Sequence, residues 1–141
     1  MRKRKSVVFT AADFRLLPSK APRKKRAFIG PEAQLQIAVV DYLKLLGVKD
    51  LLYCSVPNEG VRSKQYGAKL KAMGLLPGAA DLIICVPGES VGWLELKADR
   101  GRQTIDQRAF EKLVHFNGGR YAVARDIDEA MTVLKWWGAI R

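Results

Sequence analysis

The run from Asp81 to Lys97 constrains this chain more than any other stretch. Leu82 to Val86 and Val91 to Leu96 are apolar segments of strand length, joined by the turn-formers Pro87, Gly88, Glu89 and Ser90. This pattern predicts a β-hairpin. Side chains alternate across a strand, so Trp93, Glu95 and Lys97 share one face while Leu94 and Leu96 take the other. Asp81 stands at the mouth of the first strand. Two carboxylates and an ammonium thus converge at one end of a hairpin with apolar flanks, an arrangement suited to holding a hard divalent cation and activating a water beside it. Taken alone, Glu95 and Lys97 read more readily as an exposed ion pair of little energetic weight; Asp81, Glu32 and the turn pattern reverse that balance.

The segments around the hairpin fill out a mixed α/β layout. Residues 31–46 read as a helix, with Pro31 at its first position, Glu32 at the positive end of its dipole and Gly47 as its stop. Leu35, Ala38, Val39, Tyr42, Leu45 and Leu46 form its predicted buried face. Leu51 to Val56 reads as a strand ending in the turn Pro57-Asn58-Glu59-Gly60, and residues 63–73 as a short basic helix. After the hairpin, a polar loop from Ala98 to Gln103 leads to Thr104 and a helix reaching about Asn117, with Phe110, Leu113 and Val114 as its core face. Tyr121 to Ala124 reads as a strand. Asp126 and Glu129 have the spacing of a capping box for a last helix, whose stripe is Ala130, Val133, Leu134 and Trp137, with Trp136 off it. Helices packed on a central sheet are the expected result.

Charge separates the chain into two regions. Of the net +11, residues 1–30 carry +9 and residues 31–141 only +2. Residues 1–28 are therefore expected to form a flexible basic arm, and residues 29–141 the folded domain. A basic arm on a nearly balanced domain points to a polyanionic partner, most commonly nucleic acid, with a solubilising or targeting tail as the alternative. No apolar run approaches a membrane span, and Ser6 to Thr10 is too short for a signal-peptide core, so a cytoplasmic address is expected, or a nuclear one in a eukaryote. Cys54 and Cys85 lie in strand-like runs and are expected in the core. No zinc-type spacing exists, and the single histidine, His115, sits in an ordinary helix with no polar constellation around it.

The order of these features resembles a known family. Asp81 followed by Glu95-x-Lys97 is similar to the signature of the PD-(D/E)xK nucleases. Glu32, Pro57-Asn58-Glu59-Gly60-x-Arg62, Gly74-x-x-Pro77-Gly78-x-x-Asp81-Leu82 and Gln107 resemble the virus-type replication–repair nuclease domain, VRR-NUC, over roughly residues 31–125. Ala80 departs from the literal Pro-Asp of the superfamily name. The resemblance implies a restriction-endonuclease-like α/β core of order αβ(α)ββαβα and a metal-dependent DNA endonuclease. It further implies selectivity for branched DNA such as Holliday junctions, and a homodimer. Related folds include inactive DNA-binding members, which leaves a non-catalytic DNA-binding module as the alternative.

On that likeness, Asp81, Glu95 and the Leu96 carbonyl would hold Mg²⁺ or Mn²⁺, and Glu32 a second metal or its water. Lys97 would orient the attacking water and stabilise negative charge, since neighbouring acids keep it protonated and make it a poor general base. Gln107 would bond a metal water or a phosphate oxygen, or else stand as a solvated helix glutamine. Asn58, Arg62, Lys64, Lys69 and Lys71 would line a phosphate track, although a solvated face accounts for the lysines equally well.

Overall fold

A computed structural model describes residues 29–57 and 63–141. The elements follow in the order α1 (Pro31–Leu46), β1 (Leu52–Ser55), α2 (Lys64–Ala72), β2 (Leu82–Cys85), β3 (Gly92–Leu96), α3 (Ile105–Phe116), β4 (Arg120–Ala124) and α4 (Ile127–Trp136). The four strands form one sheet in the order β1-β2-β3-β4. The first three are antiparallel, and β4 joins β3 in parallel after the α3 crossover. The expected hairpin is β2–β3, with Leu82 opposite Leu94 and Ile83 opposite Trp93. The basic arm and the turn residues Asn58, Glu59 and Arg62 lie outside the described residues.

The alternation in the hairpin separates two apolar layers. Leu82, Ile84, Leu94 and Leu96 point into the larger cluster, with Val39 and Leu43 of α1, Leu134 of α4 and Trp137, which caps that helix. Each such side chain, fully withdrawn from water, stabilises the fold by roughly 1.5–3 kcal/mol. Trp93 faces the opposite way, into a smaller cluster with Phe110 and Val114 of α3 and Tyr121 of β4. Trp93 and Phe110 meet edge to face with centroids 4.9 Å apart. The sheet is therefore covered by α1 and α4 on one face and by α3 on the other.

Several expected core positions fall elsewhere. The buried line of α1 is Val39 and Leu43, flanked by Leu35, Val40 and Leu46, whereas Leu45 is 78% exposed and Tyr42 also faces solvent. Two overlapping stripes satisfy helical spacing in this segment, and docking against the sheet selects the one through Leu43. Leu113 of α3 is likewise half-exposed, while Phe110 and Val114 are buried. Cys54 is exposed rather than core, and Cys85 is only partly covered. Both lie on the α3 face of the sheet, but β1 is the edge strand and α3 packs against β4 at the far side, leaving that corner open. Trp137 is buried as expected, and the off-stripe Trp136 is exposed.

Candidate active site

Strand register brings the first pair together. Asp81 immediately precedes β2, and continuing the Leu82–Leu94 pairing by one residue places it opposite Glu95. Opposed residues of an antiparallel pair share a face, here the one that carries Trp93. The main chain holds Asp81 in position from both sides: its carbonyl accepts from Val56 N at 2.8 Å, and its Oδ2 accepts from Leu96 N at 2.7 Å. Pro77-Gly78 makes this approach possible. Gly78 has φ +75°, and a Cβ there would overlap the main-chain atoms of Asp106 and Gln107, so the lead-in to β2 lies directly on the first turn of α3.

Glu95 and Lys97 are buried, at 1% and 7% exposure, which rules out the exposed ion pair. Lys97 Nζ lies 2.9 Å from Glu95 Oε1. Gln107 Nε2 donates to the same oxygen. Its orientation is set by a capping box: Thr104 N donates to Gln107 Oε1 at 2.8 Å, and Gln107 N donates to Thr104 Oγ1 at 3.2 Å. One amide oxygen thus caps the helix while its nitrogen reaches the carboxylate. Gln107 is no solvated helix residue. Glu95 Oε2, by contrast, is buried with no hydrogen-bond partner in the described protein.

Glu32 arrives from the other layer. It lies in the first turn of α1, and its Oε1 accepts from Ala98 N at 3.0 Å, just beyond the end of β3. Leu96, between Glu95 and Lys97, gives its N–H to Asp81. The five side chains proposed from sequence therefore lie around the C-terminal end of β3. Of the phosphate-track residues, Lys69 and Lys71 stand exposed on α2, while Asn58, Arg62 and the Lys64 side chain lie outside the described residues. His115 is exposed near the far end of α3, with its Nε2 3.9 Å from Glu111 Oε1.

Burial pushes the Glu95 carboxyl up to about 7; the hydrogen bond and charge of Lys97 oppose this, and the charges of Asp81 and Glu32 reinforce it. Burial alone would lower the Lys97 ammonium. Its hydrogen bond to Glu95 and the charges of Glu95, Glu32 and Asp81 outweigh that, so its pKa is raised and it stays protonated at neutral pH. A second network, missed from sequence, braces the same region: Gln103 Nε2 donates to Glu111 Oε2 at 3.0 Å and to Tyr121 Oη at 3.3 Å. The Thr104-x-x-Gln107 spacing was the available signal for the capping box; nothing in the sequence marked Gln103.

Three carboxylates gathered around one ammonium, with a buried carboxylate oxygen left unbonded, suit an added cation. The donors are all oxygen, which fits Mg²⁺ or Mn²⁺ rather than a softer ion. Among the described residues no three histidine, cysteine or acidic side chains form a metal cage by themselves. Any ion here would draw on Asp81, Glu95, a main-chain carbonyl and water, a sparse protein donor set characteristic of Mg²⁺.

Two solved structures share this architecture. One, described as a VRR_NUC domain protein, is 23% identical and matches over 79% of this chain and 90% of its own, with a TM-score of 0.65. The fold is that of a VRR-NUC domain. A second, described as a VRR_NUC domain, is 17% identical over 74% of this chain and 94% of that one, with a TM-score of 0.52. No family model and no curated protein matches the sequence. The VRR-NUC fold carries a restriction-endonuclease-like α/β core, in agreement with the element order expected from sequence. Among the described residues, no helix is long and apolar enough to cross a membrane.

Proposed function

We propose that this protein is a metal-dependent DNA endonuclease that hydrolyses phosphodiester bonds, selects branched DNA such as Holliday junctions, and works as a homodimer in the cytoplasm. The observation that carries this is Glu95, which lies across from Asp81 in the strand register: one oxygen is taken by Lys97 and Gln107, and the other is buried with no hydrogen-bond partner among the described residues. Mg²⁺ or Mn²⁺ held by Asp81, Glu95 and the Leu96 carbonyl would polarise the phosphate and lower the pKa of a bound water. Lys97, protonated, orients the nucleophile and offsets charge on the phosphate oxygens. Gln107 fixes the plane of the Glu95 carboxylate, and Glu32 anchors the start of the loop after β3 while remaining available to a second ion or its water. A two-fold dimer places two such sites for paired cuts across a junction.

A second reading is a DNA-binding module without activity. It is favoured by the main-chain bonds that already occupy one oxygen each of Asp81 and Glu32. Incubating the protein with four-way junction, flap, single-stranded and duplex DNA separates the two. Cleavage of the junction with Mg²⁺ or Mn²⁺ that stops in EDTA is the expected outcome. Binding with no cleavage of any substrate in either metal would overturn the nuclease proposal in favour of the module.

The raised Glu95 pKa sets a pH dependence in metal-free protein. Between about pH 4.5 and 7 the folded state keeps a proton that the unfolded chain has lost, so stability falls as pH rises through that window and then levels off. Lys97, also raised and from a value already well above this window, keeps its contribution throughout the range. Thermal melting in EDTA should therefore drop between about pH 5 and 7.5, by at most about 3 kcal/mol. Mn²⁺ at the higher pH should restore it. A slope unchanged in Glu95→Gln would assign the effect to other groups.

A further inference from the structure

The loop that leaves β3 carries charges the proposed mechanism does not use. Ala98 N is held by Glu32, and Gly101 N returns to Ala98 O at 2.7 Å, closing a tight turn. That turn lies on the candidate site: a Cβ on Gly101 would come within 3.0 Å of Ala98 O and 3.2 Å of Lys97 Cβ and Cδ, so the turn packs directly on the Lys97 stem. The residues flanking Gly101 are Arg100 and Arg102, and consecutive Cα atoms are only about 3.8 Å apart. Both arginines are exposed, and neither has a hydrogen-bond or ion-pair partner among the described residues. Beyond the turn, the Gln103 bonds to Glu111 and Tyr121 and the Thr104 cap fasten the chain to α3. Two exposed guanidiniums are thus mounted on a loop anchored at both ends and seated beside Lys97.

We propose that Arg100 and Arg102 form a phosphate clamp, binding the nucleic-acid backbone next to the phosphate that is cut. This rests on the nuclease reading for the identity of the ligand. The region needs such a clamp, since Glu32, Asp81 and Glu95 outnumber Lys97 and repel a polyanion. Arginine suits the task because its planar fork binds a phosphate through two parallel hydrogen bonds. Asp99 shares the turn and is exposed, but a single carboxylate leaves the turn net positive. The clamp reads no bases; it fixes where the strand lies relative to Lys97.

The test is fluorescence anisotropy of labelled duplex and four-way-junction DNA in EDTA, where binding is read without cleavage. Arg100→Ala with Arg102→Ala should weaken binding roughly tenfold at moderate salt and flatten the log–log salt dependence by about 2 for duplex DNA. Lys49→Ala, at the opposite end of the sheet, should change neither beyond the loss of one distant charge. Arg100→Lys with Arg102→Lys should keep the salt dependence yet slow any metal-dependent cutting. Equal slopes for the double alanine variant, Lys49→Ala and the parent protein would overturn the clamp. Because the readout is binding, a protein that binds through these arginines but never cuts would sink the nuclease proposal and leave the clamp standing.

Discussion

Glu95→Gln is expected to reduce metal-dependent cleavage by roughly 10³-fold or more while leaving a folded protein. The amide is isosteric and its oxygen still accepts from Lys97, so the buried ammonium keeps a partner. The negative charge that would hold the cation at the unbonded oxygen is lost. Binding of Mn²⁺, followed by calorimetry or electron paramagnetic resonance, should weaken in step with activity. Glu95→Ala is the harsher change, since it strands Lys97 at 7% exposure and should cost about 3–5 kcal/mol in stability. Full activity in the glutamine variant would show that Glu95 is a structural ion-pair partner and nothing more.

The second large effect is expected at Gly78. Gly78→Ala combines a left-handed φ of +75° with overlap against the main chain of Asp106 and Gln107, neither of which is the yielding tip of a side chain. A loss of more than about 3 kcal/mol in urea unfolding is expected, together with displacement of the first turn of α3. Gly88→Ala isolates the conformational part: its φ is +80° with nothing within 4 Å of the added carbon, so it should cost only about 1 kcal/mol. Similar losses at the two positions would mean that the β2 lead-in does not depend on contact with α3.

The hairpin was legible because two apolar faces had to alternate along β3, and only one register buries Leu94 and Leu96 while presenting Glu95 beside Asp81. The same rule was silent on depth. Charged residues are rarely buried, so nothing local to Glu95-x-Lys97 announced that both would be covered; that follows from α3 packing over Trp93 and supplying Gln107. The choice between Leu43 and Leu45 on α1 was undetermined for a related reason, because helical spacing defines a face only once its partner is in place. Cys54 was misplaced because strand character says nothing about whether a strand stands at the centre or the edge of its sheet. Arg100 and Arg102 were passed over within a polar loop, since only the packing of Gly101 on Lys97 distinguishes that loop from an ordinary connection.

The double use of Gln107 has a consequence for which mutations this protein tolerates. At the third position of a helix behind a threonine cap, glutamate serves as well as glutamine, so Gln107→Glu preserves everything α3 needs locally. Toward Glu95 it replaces a donor with a second acid, and two carboxylates in contact cannot both stay ionised. The helix cap would therefore survive this exchange, while the buried contact with Glu95 would turn from attractive to repulsive. The cost of the change thus arises at the junction of α3 with the site, not within α3 itself.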